Sequence, residues 1–128
     1  MTSLSRSATP DSYPNQRDLR WSRSEKAIAR KAFDAALSRE LYEVIQEAKQ
    51  MASRIRQSSD LWDLEHYLTH RRREIDRTYD YRYSQLTLVF GKLLRESRLG
   101  EDELRGLRED KLESIRSYAR FLAKMDAA

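Results

Sequence analysis

The chain has 128 residues, 36% of them charged and 39% hydrophobic, with three Gly, two Pro, no Cys and a formal net charge of +4. So few turn-forming residues exclude sandwiches, barrels and βαβ arrays, which need a tight connection roughly every ten residues, and the absence of Cys removes disulfides, thiolate nucleophiles and Cys-ligated metals. Abundant Leu, Ala, Arg, Glu and Lys is the composition of long helices, and a mean hydropathy of −0.88 points to narrow apolar seams that a second copy of the chain would complete.

Residues 1–21 hold both prolines, Pro10 and Pro14, many Ser and Thr, and no helical periodicity. They are expected to form a disordered tail, and they lack the apolar stretch of a secretory signal. Ser22-Arg23-Ser24-Glu25 is a capping box, so a helix starts there. Apolar residues follow at Ala29, Phe33, Leu37, Leu41, Val44, Ala48, Met51 and Ile55, three or four apart, which predicts one long amphipathic helix. Ser58-Ser59-Asp60 breaks the pattern and predicts a reversal with a new N-cap.

The second pattern runs Leu61, Leu64, Leu68, Ile75, Tyr79, Tyr83, Leu86, Phe90, Leu93. Its seam has a gap at Arg71 or Arg72, where a guanidinium needs a carboxylate from Glu74, Asp76 or a second chain. Tyr79-Asp80-Tyr81-Arg82-Tyr83 alternates with period two, but it lies inside a helical pattern and is read as helix. Leu86 to Leu94 is the longest apolar run, well short of a membrane span and interrupted by Gly91 and Lys92. Leu99-Gly100-Glu101-Asp102 ends the second helix, and short helices are expected at 101–108 and 110–125, with Leu104, Leu107, Leu112, Ile115, Ala119 and Leu122 facing inward. The expected architecture is all-α: a tail over 1–21 and one helical domain over 22–128, made of a long antiparallel hairpin (22–97) and a small head (98–126). Two seams that a lone hairpin cannot bury imply a dimer through the long helices.

His66 and His70 share a helix face, but Tyr67 stands where a general base would follow and Arg71-Arg72-Arg73 would repel a cation, so no metal site is expected. The same arginines, with Arg77 and Arg82, are interleaved with Glu65, Glu74, Asp76 and Asp80, which reads as an ion-paired face and not a nucleic-acid surface. No nucleophile, base and acid set and no Gly-rich phosphate loop is present, so an enzyme is not expected and no cofactor is called for. Trp62, at the mouth of the hairpin, is of the type enriched at interface hot spots.

Residues 60–90, DLWDLEHYLTHRRREIDRTYDYRYSQLTLVF, resemble the signature of the fluorescence recovery protein family: Asp-Leu-Trp, then Tyr-Leu, Arg, Ile-Asp and Tyr-Asp-Tyr-Arg-Tyr-Ser. The resemblance extends more loosely through LGEDELRGLREDKLESIRSYARFL. It implies an all-helical dimer, in the cytoplasm or on the cytoplasmic side of thylakoids, that binds the light-activated orange carotenoid protein of cyanobacteria. That contact returns the partner to its resting orange form and restores phycobilisome fluorescence. Trp62, Glu65, His66 and Arg72 are then expected at the dimer interface, and Leu88, Phe90, Lys111 and Ile115 at the partner surface. Tyr79 to Tyr83 is the structural motif. Glu65-His66 replaces the His-Asp order usual in the family, which keeps both groups but rotates each by about 100° around the helix. An alternative is a scaffold of the same fold acting on another partner in a bacterium without phycobilisomes.

Overall fold

A computed structural model describes residues 20–127. Four α-helices follow one another: α1 over Arg23–Ser53, α2 over Ser58–Thr78, α3 over Leu86–Arg95 and α4 over Glu109–Ala127, with a short 3-10 turn at Glu101–Leu104 between the last two. The expected disorder of 1–21 lies outside the described residues except at its last two positions. There Trp21 is a core residue.

The predicted capping box opens α1: Ser22 Oγ accepts from the Glu25 amide at 3.2 Å, and the Ser22 amide donates to Glu25 Oε1 at 2.9 Å. With the cap in place, helix-favouring residues carry α1 through 31 residues to the reversal. There Asp60 does the local work, its carboxylate accepting from the amides of Arg56 at 3.0 Å and Gln57 at 3.3 Å. Those two bonds tie the linker to the first turn of α2.

The second long helix is shorter than expected. It closes at Thr78, with the Tyr79 amide donating to Ile75 O at 2.9 Å, and residues 79–85 are irregular. The period-two alternation, set aside in favour of helix, was the true signal. On a helix Tyr81 would point about 200° away from its neighbours at 79 and 83. In the irregular segment the three rings form one row against α1. Tyr79 and Tyr81 meet Phe33 edge-on at 5.4 and 4.8 Å, Tyr81 meets Tyr83 at 5.6 Å, and Tyr83 meets Trp21 at 5.7 Å. Asp80 and Arg82, between the rings in sequence, pair with each other. Four aromatic contacts, with Tyr79 and Tyr81 half-buried, take the place of the few backbone bonds that a continued helix would have formed.

This break moves the boundary of the head. The core consists of Trp21, Ala29, Ala32, Phe33 and Ala36 from the start of α1, Leu86, Val89, Phe90 and Leu93 from α3, and Leu99, Leu104, Leu107 and Ile115 beyond it. The head is therefore the first half of α1 with α3, the 3-10 turn and α4, and not residues 98–126 alone. Gly91 lets α3 and α4 touch: a Cβ there would lie 2.9 Å from the Tyr118 ring and 3.0 Å from the Ile115 carbonyl. Each fully buried Phe, Leu or Ile in this core contributes about 1.5–3 kcal/mol. By contrast α2 has no buried residue, and beyond Glu40 neither does α1. The second half of α1 and α2 form a thin, two-helix stem.

Candidate functional site

The stem and head meet at one carboxylate. Glu40 sits on the inward stripe of α1 between Leu37 and Val44 and is buried. It accepts from Arg71 Nη2 of α2 at 2.6 Å and from the Tyr79 hydroxyl at 2.9 Å, and lies 3.3 Å from Arg98 Nε beyond α3. Arg98 also pairs with Glu43, and Arg39 bridges Glu103 and the Arg98 carbonyl. The guanidinium expected on the seam is thus Arg71, and its partners are Glu40 and, at 3.2 Å, Glu74. Burial pulls the Arg71 pKa down, but hydrogen bonds to Glu40 and Tyr67 more than offset this and leave it raised. Burial first, and then donation to Glu40, pushes the Tyr79 phenol above its ordinary range. The raised values keep Arg71 charged and Tyr79 neutral at neutral pH, so both stand as donors to Glu40.

A second buried pair holds the head. Lys111 Nζ lies 3.2 Å from Glu25 Oε1, both side chains essentially inaccessible, and stands over the Trp21 ring at 5.1 Å. Glu25 also accepts from the amides of Ser22 and Arg108. Burial alone would raise its pKa; the two amides and Lys111 together bring it below the ordinary carboxylate value.

Two surfaces are left open. Along the stem Leu41 and Ile45 of α1 and Leu61, Trp62 and Leu68 of α2 are all exposed, Trp62 by 57%. The expected interface residues lie with them: Glu65 accepts from Thr69, His66 lies 3.7 Å from Glu65, and Arg72, 86% exposed at its side chain, reaches Asp76 only at 4.0 Å. On the head, a groove of about 470 Å³ is lined by Leu88, Glu113, Ser114, Ser117, Tyr118 and Phe121. Tyr118 and Phe121 stack at 6.1 Å, and Leu88 also borders a second cleft of about 290 Å³ beside Thr78 and Lys92.

Of the four residues expected at the partner surface, Leu88 alone lines this groove. Phe90, Lys111 and Ile115 are corrected: each is at most 1% exposed, because the α3–α4 contact takes up the two apolar side chains and Glu25 takes up the ammonium. Sequence reasoning missed Glu40, Trp21 and Phe121. An acid on an apolar stripe marks the first, and a Trp immediately before a capping box, the position of a hydrophobic staple, marks the second. Among the described residues no group of three or more His, Asp or Glu side chains is arranged to hold a metal.

The model of the photoprotection regulator fluorescence recovery protein family matches residues 21–119. The chain belongs to the fluorescence recovery protein family. It is 39% identical over 101 residues to the fluorescence recovery protein of Synechocystis sp. PCC 6803, a match covering 79% of this chain and 93% of that one. Among solved structures it resembles the fluorescence recovery protein of Fremyella diplosiphon, with a TM-score of 0.76 and 42% identity, and that of Synechocystis sp. PCC 6803, with 0.76 and 39%. Each of these matches covers 79% of this chain and 99% of the other. The all-helical fold and the regulatory, photoprotective class expected from residues 60–90 are thereby shown. No helix among the described residues is long and apolar enough to cross a membrane.

Proposed function

We propose that the protein is a non-enzymatic regulator of photoprotection that binds the photoactivated orange carotenoid protein, or a related carotenoid-binding domain, and speeds its return to the orange form. The observation that carries the reading is the open head groove of Leu88, Tyr118 and Phe121 in a chain of this family. A protein without reacting groups accelerates a conformational return by binding the intermediate or transition state more tightly than the starting state. A packed head with a preformed groove, apolar at Leu88, Tyr118 and Phe121 and polar at Glu113, Ser114 and Ser117, does this at low entropic cost, because its own groups are already ordered.

The stem supports a homodimer. Five large apolar side chains exposed along two helices form a seam that a second copy would cover, with Trp62 near its turn end and Glu65, His66 and Arg72 following along α2. A different partner is the second reading, favoured by Met125, exposed near the end of α4 past the family match. The deciding experiment mixes the protein with photoactivated orange carotenoid protein and follows red-to-orange recovery in darkness. Acceleration that is lost in Leu88→Glu supports the proposal. Unchanged recovery, with no comigration on a sizing column, gives the second reading precedence.

A further inference from the structure

The end of the head where α1 begins carries cations that have no ion-pair partner among the described residues. Arg20, Arg23, Lys26 and Lys31 lie just before and within the first turns of α1, and Arg105 and Arg108 flank the turn that packs on it; all six are exposed. Their proximity is fixed by contacts. Gly106, at φ +105°, lies so close to Ile28 that a Cβ would sit 2.6 Å from its Cδ1, and the Arg108 amide donates to Glu25 at 2.8 Å. Elsewhere in the chain most arginines are ion-paired, yet among the described residues none of these six has a carboxylate within ion-pair distance.

The acids around them are largely spent. Glu25 is buried on Lys111, Asp34 pairs with Arg30, Asp80 with Arg82, Glu103 with Arg39, and Glu109 with Arg116. Asp102 and Asp110 are left, the latter accepting from the Lys111 amide. The free amides of the first α1 turn add the positive end of a helix dipole. Among the described residues, six cations gather around this end of the head with only Asp102 and Asp110 as unpaired acids, a field that attracts polyanions and raises their association rate.

The chemistry of the face selects among polyanions. Lys26 stands 5.0 Å from the Tyr83 ring and Arg30 3.7 Å from the Tyr81 ring, so the aromatic faces on which nucleobases would stack are already covered. Tyr83, 37% exposed, is covered by Lys26, and the other large exposed apolar side chains, Leu41, Ile45, Trp62, Phe121 and Met125 among them, lie elsewhere, which leaves little here to anchor in acyl chains. We propose that this basic end is a docking surface for an acidic protein segment, separate from the head groove and the stem seam.

The test requires nothing of the carotenoid partner. Binding of a short poly-glutamate peptide to the full chain is measured by fluorescence anisotropy across a salt series, beside phosphatidylglycerol vesicles and duplex DNA. The native chain should bind the peptide more tightly than vesicles or DNA, and the affinity should fall steeply with salt. Lys26→Glu with Arg105→Glu should weaken peptide binding about tenfold or more and flatten the salt slope, whereas Arg73→Glu with Arg77→Glu on α2 should leave it unchanged. If the reversed pair does not fold by circular dichroism, Lys26→Gln with Arg105→Gln replaces it with the same expectation. Equal peptide binding by native and charge-altered chains, equal loss in the α2 variant, or preference for vesicles or DNA would each overturn the proposal.

Discussion

The head and the stem share one helix and are built on opposite terms. In its first half α1 presents Ala29, Ala32, Phe33 and Ala36 to a core fed by α3 and α4; in its second half it presents Leu41 and Ile45 to solvent. The head satisfies its buried charges internally, with Glu25 and Lys111 each at most 2% exposed, and needs no second chain to be packed. The stem leaves its apolar seam open and Arg72 exposed, held only loosely by Asp76 at 4.0 Å. One region is finished by folding and the other is the one proposed to be finished by association, and Glu40 with Arg71, Tyr79 and Arg98 joins the two. Variants should therefore separate cleanly into those that unfold the head and those that only uncouple the stem.

The largest expected effect is in the head. Lys111→Ala leaves the Glu25 carboxylate buried without its cation, which typically costs about 3–5 kcal/mol, and removes the contact with Trp21. Thermal unfolding should show a drop in midpoint far larger than for Lys124→Ala near the exposed end of α4. A similar midpoint for both would mean that water reaches the Glu25 site and that the head is not a sealed core.

The stem variant should behave in the reverse way. Trp62→Ala removes a ring that is 57% exposed, so the fold of the single chain should change little, while a hot-spot loss of about 2 kcal/mol would weaken a dimer roughly thirtyfold. Mass-resolved light scattering over a dilution series distinguishes these outcomes. If the variant stays dimeric at the dilutions where the native chain does, the assignment of the stem seam to self-association fails.

How far these regions could be read from the sequence follows from how local their causes are. The capping box at Ser22 and Glu25, the reversal near Asp60 and the new start at Gly100 each depend on residues within four positions, and each was legible. The need of a seam arginine for a carboxylate was legible too, but the acid that meets Arg71 is Glu40, 31 positions away in sequence, and nothing local favours it over Glu74 or Asp76. The tyrosine segment failed for a related reason. Its alternation was visible, yet only the position of Phe33 on a distant helix turns alternation into a row of packed rings, half-buried at Tyr79 and Tyr81. At the candidate site, Leu88 came from family resemblance, while Phe121, which completes the groove, lies past the family match.

The pH response sharpens the comparison further. Glu25 is depressed by its two amides and Lys111 against the opposing effect of burial, Glu43 by its bond to Arg98, and Glu103 by its bond to Arg39. Each lies below its ordinary value of 4.5 in the folded chain, so the folded state binds fewer protons than the unfolded one as pH falls through that range. Their stabilisation is fully present above about pH 4.5 and is lost as pH drops through the folded values. Unfolding midpoints should therefore fall below pH 4.5, and Glu103→Gln should lower the midpoint near neutrality while flattening that acid limb. An acid limb as steep in Glu103→Gln as in the native chain would remove Glu103 from the groups responsible.

The smallest effect concerns the turn that leads from α3 back to the junction. Ser97 has φ 62°, with its amide donating to Leu94 O and the Arg98 amide to Leu93 O at 2.9 Å, the pattern of a helix closed by a left-handed residue, where glycine is favoured. A side chain at that φ is strained. Ser97→Gly relieves the strain but also loosens the unfolded chain, so the net gain should be about 0.5–1 kcal/mol. Because this turn delivers Arg98 to Glu40 and Glu43, the gain should vanish in an Arg98→Ala background if the strain is held in place by the clamp. A gain that persists there would mean that the turn closes independently, and that the head is finished without help from the junction.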